Sequence, residues 1–177
     1  MQNNSPKILA IDPSLSCTGY SIIEVDTEEV KEWGKITTKT GEQLINRSNI
    51  IARLLHDSAQ NNNVCAVIYE DGFIGKGIKS GIDLSYLRGF IGATFKIYSP
   101  QIAIATMQPS EIRKWLGLKG NAKKEDVYNY ILESYRESGI IEKIGEFSDK
   151  QNSKKTSDIY DSIGIGVAYC RYLKSKC

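Results

Sequence analysis

Three short apolar runs open the chain: Lys7–Asp12 (KILAID), Cys17–Val25 (CTGYSIIEV) and Val30–Thr38 (VKEWGKITT). Short links carrying Pro13, Gly19 and Asp26 separate them, so they read as an antiparallel three-strand meander. From Glu42 to Gln60 the apolar residues Leu44, Ile45, Ile51, Leu54, Leu55 and Ala59 recur at helical spacing. Val64–Tyr69 (VCAVIY) is almost wholly apolar, as expected of a strand covered on both faces, and it ends on Glu70. A glycine-rich stretch, DGFIGKGIKSG, predicts a loop; Ile82–Tyr98 predicts a helix and Ile102–Thr106 a fifth strand.

Pro109–Leu116 predicts a short helix started by proline. Asn121 is the expected N-cap of a helix over Ala122–Ser138, with Glu125 and Asp126 near its positive end. Gly145–Thr156 (GEFSDKQNSKKT) predicts a polar linker, and Ser157 the cap of a last helix, Asp158–Lys174. The order is α/β with a five-stranded mixed sheet flanked by helices. At 177 residues the expectation is a single domain over 1–177.

Four acids stand where acids are costly unless used. Asp12 ends one apolar strand and Glu70 another, while Asp158 and Asp161 lie at i and i+3 on one face of the last helix. If the first and fourth strands are neighbours, the acids converge. One carboxylate pair at about 4 Å costs about 4 kcal/mol at an effective dielectric near 20, so such a cluster calls for cations. Oxygen ligands alone select Mg²⁺, with Mn²⁺ as a substitute, and two ions held this way would suit in-line phosphodiester hydrolysis. Taken singly, each acid has a plainer reading as a turn former or helix-dipole partner. Gly164 and Gly166, two glycines inside the last helix, predict that it packs very close to the sheet.

The net charge is only +2, but Arg113, Lys114, Lys119, Lys123 and Lys124 form a local basic stripe with no acid among them, a candidate contact for nucleic-acid phosphates. His56 is the sole histidine, which leaves little room for Ser-His-Asp or histidine–metal chemistry. The four cysteines, Cys17, Cys65, Cys170 and Cys177, form no CxxC pair. Three lie in apolar stretches and read as reduced, buried side chains of a cytoplasmic protein. The opening MQNNSPK has no apolar signal core, and no run is long enough to cross a membrane.

These residues resemble the RuvC-type Holliday junction resolvases, of the RNase H-like or retroviral integrase superfamily. Residues 8–22 (ILAIDPSLSCTGYSI) resemble their IDPG…TGY opening, and 67–73 (VIYEDGF) their second acidic strand. Leu87-Arg88-Gly89 resembles an arginine-glycine pair in the next helix, and 157–168 (SDIYDSIGIGVA) their last helix. The resemblance implies catalytic, metal-holding acids at Asp12, Glu70, Asp158 and Asp161. It implies a homodimer that nicks symmetric strands of a four-way DNA junction, an aromatic wedge at Phe73, and backbone-holding cations at Arg113 and Lys124. Ser14 departs from the usual glycine of the opening, Lys119 looks like an added cation, and the 145–156 segment is longer than typical. The departures leave room for a divergent, phage-encoded member that also cuts forks or flaps. Alternative readings are an RNA-directed nuclease of YqgF type, an actin-like ATPase, for which the chain is too short, and a non-catalytic junction binder.

Overall fold

The structure is a computed structural model that describes residues 5–72, 78–149 and 157–176, with 146–149 described by backbone alone. Five strands form one sheet: β1 (Lys7–Asp12), β2 (Cys17–Glu24), β3 (Val30–Thr37), β4 (Ala66–Glu70) and β5 (Ala103–Met107), in the order β3-β2-β1-β4-β5. The first three pair antiparallel, whereas β1, β4 and β5 run parallel. The expected mixed sheet is therefore present. The β-rich opening forms the meander, and the two later strands return in parallel because a helix bridges each crossover.

Those crossovers are α1 (Leu44–Asn62) and α2 (Ile78–Tyr98). Both cover one face, where Leu9, Ile11, Ile22, Val67 and Tyr69 of the sheet meet Ile51, Leu55, Leu87, Ile91 and Phe95. On the other face, Ile8, Ala10, Ile23 and Ile68 meet α3 (Pro109–Trp115), α4 (Lys124–Ser134), α5 (Ile140–Asp149) and α6 (Ser157–Lys174). Alternation along β1 thus buries both faces of a central strand. It also directs Asp12, at the parity of Ile8 and Ala10, toward α6. Glu70 has the same parity on β4.

Several expectations need correction. Gly19 lies inside β2, not in a link. α2 starts at Ile78, four residues earlier than Ile82. The helix expected over 122–138 ends at Ser134. A 3-10 turn (Arg136–Ser138) and Gly139, with φ +68°, follow before α5 begins. α5 takes up the first part of the expected 145–156 linker, because Ile140 and Ile144, one turn apart, bury into the core. The cap of α4 is Lys123, not Asn121: Asp126 accepts the Lys123 N–H at 2.7 Å, so the side chain in the first turn closes the helix start. Cys17 and Cys170 are buried as expected, but Cys65 is exposed, one residue ahead of β4.

His56 packs its ring 5.5 Å from that of Phe95 and sits 2.8 Å from the Ser99 hydroxyl, a structural role away from the acids. No helix among the described residues is long and apolar enough to cross a membrane.

Candidate active site

Parallel pairing sets Ile11 of β1 beside Tyr69 of β4, so Asp12 and Glu70 follow at adjacent strand ends. Asp12 pairs on its other side with Gly19 of β2. A Cβ built on Gly19 would lie 2.0 Å from the Asp158 carbonyl oxygen, so only glycine lets the first turn of α6 rest on the sheet there. Further along, a Cβ on Gly166 would meet Ile23 Cδ1 at 2.4 Å and the Ala10 Cβ at 2.9 Å, which bears out the close packing expected of this helix. Gly164 serves a different contact: its Cβ would face Val127 of α4 at 3.1 Å.

Asp12, Asp158 and Asp161 each place a carboxylate oxygen within 4.8 Å of the other two. Glu70 lines the same cleft with Asp12, Asp161, Arg113 and Lys124, a space of about 120 Å³, but stands outside that tight triad. Burial, the charges of Asp161 and Asp158, and that of Glu70 push the Asp12 carboxyl up to about 7, against a smaller downward pull from Lys124. Burial likewise raises Glu70. The charge is thus under-compensated, and an all-oxygen donor set of this kind fits a hard divalent cation.

Lys124, the first residue of α4, donates from Nζ to Asp161 Oδ2 at 2.8 Å. Burial pulls its ammonium down, yet the hydrogen bond to Asp161 and the charges of Asp161, Asp12 and Glu70 hold it above its ordinary value. Arg113 lines the cleft from α3 and donates to the Gly120 carbonyl at 3.2 Å. Lys114, Lys119 and Lys123 are exposed. Of the basic stripe, the structure therefore brings Arg113 and Lys124 to the acids, and the other three lysines are exposed outside the cleft lining. Phe73 lies outside the described residues.

The chain matches the family described as crossover junction endodeoxyribonuclease RuvC over residues 8–135. The RuvC protein of Ehrlichia chaffeensis is 30% identical over 170 residues, covering 96% of this chain and 99% of the relative. The chain belongs to the RuvC family. That of Finegoldia magna is 26% identical over 172 residues, covering 96% and 94%. Among solved structures, Thermus thermophilus RuvC superposes with a TM-score of 0.73 at 16% identity, covering 96% of each chain. The yeast mitochondrial Holliday junction resolvase gives 0.70 at 12% identity, covering 97% and 80%. At such identities the likeness is one of fold. The family's activity, endonucleolytic cleavage of crossover junctions, is the function of this chain.

Residues that the sequence did not single out fix the RuvC turn after Asp12. Thr18 donates from its hydroxyl to the Ser14 carbonyl at 2.6 Å, and Thr38 to the Leu15 carbonyl at 2.5 Å. Arg47 Nε braces Thr38 Oγ1 at 2.7 Å. Ser14 is not in the left-handed region, so its position needs no glycine. Hydroxyls three to four residues from a turn are the local signal that could have found the first of these contacts. Gln108 Nε2 donates to Asp71 Oδ2 at 2.8 Å and ties the end of β4 to the start of α3, the helix that carries Arg113.

Proposed function

We propose that this resolvase hydrolyses symmetric strands of a four-way DNA junction as a homodimer, using Mg²⁺ held by Asp12, Glu70, Asp158 and Asp161. The observation that carries this reading is the convergence of Asp12, Asp158 and Asp161 at the end of β1 with Lys124 bonded to Asp161. The four acids would hold the metal, as two Mg²⁺ ions with Mn²⁺ as a substitute. Divalent ions there supply charge stabilisation to a phosphodiester under in-line attack.

The chain's own residues do the rest. Lys124 offers N–H donors beside the acids, where negative charge grows on a reacting phosphate. Arg113 holds the strand backbone at the cleft rim, with Lys114, Lys119 and Lys123 as outer phosphate contacts. Phe73, three residues after Glu70, is the candidate wedge at the branch point, since base stacking is worth about 1–3 kcal/mol per base. Forks and flaps are further candidate substrates, and the cytoplasm (a host's, if the chain is phage-encoded) is the site of action.

The dimer reading rests on α2. Leu87, Ile91 and Phe95 of this helix are core residues. The outward face is nevertheless apolar: Ile78, Ile82, Tyr86, Ile97 and Tyr98 are all exposed. A twofold contact through this helix matches the twofold symmetry of the junction.

The test is incubation of the protein with labelled four-way, three-way, flap and linear DNA in Mg²⁺. Paired symmetric nicks in the four-way substrate are expected, with binding but no turnover in Ca²⁺. A protein that binds junctions and leaves them intact in Mg²⁺ and Mn²⁺ is a structural binder, and one that cuts only RNA refutes the substrate.

A further inference from the structure

Lys124 and Arg113 approach the acids from the α6 face of the sheet; Arg88, on α2, approaches from the opposite face. Its guanidinium lies against Gly72, two residues beyond Glu70. A Cβ built there would fall 2.0 Å from Nη2, 2.3 Å from Nη1 and 2.5 Å from Cζ. One turn on, Gly92 of the same helix lets α2 approach Tyr69, with a built Cβ 3.3 Å from the Tyr69 hydroxyl. The backbone after β4 is thus shaped to receive this one side chain.

Arg88 lacks what a half-buried guanidinium ordinarily has. Its Nε is buried with no hydrogen-bond partner, and the group makes no ion pair or hydrogen bond to any described residue. The nearby acid Asp71 is engaged by Gln108 instead. With no described acceptor engaging it, the guanidinium keeps its Nη donors for an incoming anion. The cation is still close enough to Glu70 to favour its ionised form.

We propose that Arg88 is a phosphate-binding residue for the cleaved strand, taking a backbone phosphate that flanks the scissile one on the side away from Lys124. A DNA strand crossing the ends of β1 and β4 then meets a cation on each side of the acids: Lys124 and Arg113 from one face, Arg88 from the other. The planar fork of arginine suits two oxygens of one phosphate, and the two Nη groups carry four donors. Gly72 is part of this subsite because any side chain there displaces the guanidinium.

The proposal rests on the nuclease reading, and the experiment separates the two. Binding of the full chain to a synthetic four-way DNA junction is measured in Ca²⁺ across a salt series, and Mn²⁺ binding to the free protein is measured by electron paramagnetic resonance. Arg88→Gln is expected to weaken the junction about five- to tenfold near 0.1 M salt and to lower the salt slope by about one unit. Mn²⁺ affinity should stay within about twofold. Arg88→Lys, which keeps the charge, should keep the slope and answers the case in which Arg88→Gln fails to fold. Gly72→Ala should weaken the junction without any change of charge, and add nothing on top of Arg88→Gln.

An unchanged salt slope in Arg88→Gln overturns the proposal, and a fall in Mn²⁺ affinity alongside it makes Arg88 a brace for Glu70 instead. Loss of slope in Arg88→Lys also overturns it. Wild-type protein that shows these slopes but cuts no junction in Mg²⁺ refutes the nuclease reading and leaves the phosphate subsite standing.

Discussion

Gly19→Ala tests the claim that one missing Cβ assembles the acids. The new methyl would stand 2.0 Å from the Asp158 carbonyl oxygen, 2.3 Å from its carbon and 2.9 Å from the Ile159 nitrogen. All three are backbone atoms of α6, so no side-chain rotation relieves the clash. Ordinary contact lies near 3.5 Å, so the first turn of α6 must withdraw by about 1.5 Å. Overpacking of this kind costs about 1–3 kcal/mol of stability. The larger effect falls on the site, because Asp158 and Asp161 ride on the displaced turn while Asp12 stays on β1. A misplacement of about 1 Å costs on the order of a hundredfold in rate.

The assay is single-turnover cleavage of a four-way junction at saturating protein, beside a melting curve and a Mn²⁺ titration. We expect a folded protein with a rate lower by about 10²-fold and weaker Mn²⁺ binding. Gly166→Ala is the control: its Cβ meets Ile23 Cδ1 and the Ala10 Cβ, farther from the acids, so stability should fall more than rate. Gly19→Ala cutting at the wild-type rate, with wild-type Mn²⁺ affinity, would refute the reasoning.

Further outcomes can be checked independently. Asp12→Asn or Asp161→Asn should lower cleavage by about 10²–10³-fold or more while junction binding survives; Mg²⁺ should raise the melting temperature of the wild type and much less that of Asp12→Asn, and an equal rise in both would count against the metal assignment. Lys124→Ala should slow cleavage at saturating enzyme, whereas Lys119→Ala should change affinity and salt slope alone; equal rates in both variants would place Lys124 among the rim contacts. Ile82→Asp should yield monomers in light scattering, and a retained dimer moves the interface off α2. Glu28 predicts a pH effect: burial pushes its carboxyl up, but hydrogen bonds from Lys174 and Arg171, with their charges, outweigh this and hold it below its ordinary value. The stability it contributes is present above the unfolded-state pKa near 4.3 and is lost as pH falls through the folded value, so Glu28→Gln should flatten the acid limb of the stability curve.

Much of the candidate site was legible in the chain because it depends on short-range periodicity. Alternation along KILAID and AVIYE determines that Asp12 and Glu70 share the facing of Ala10 and Ile68, and the i, i+3 spacing determines that Asp158 and Asp161 share one helix face. No such rule states that β1 lies beside β4. That adjacency closes over more than fifty residues, and packing of both sheet faces decided it. The same holds for Glu70, which the sequence grouped equally with the other acids and the fold set apart from the triad.

Local signals misled where a tertiary contact competed with them. Asn121 is a good cap by residue type, yet Asp126 closed the helix at Lys123 and thereby set Lys124 where it reaches Asp161. By sequence Gly19 groups with the link residues Pro13 and Asp26; only the docking of α6 onto β2 shows what its missing side chain admits. The apolar residues of α2 could be counted in the sequence, but which of them faces the core is a matter of the helix's rotation against the sheet. That rotation left Ile82 and Tyr86 outside and turned Arg88 inward onto Gly72. Sequence periodicity selects the residues that share a face. Which faces meet, and how closely, is decided by packing between elements distant in the chain.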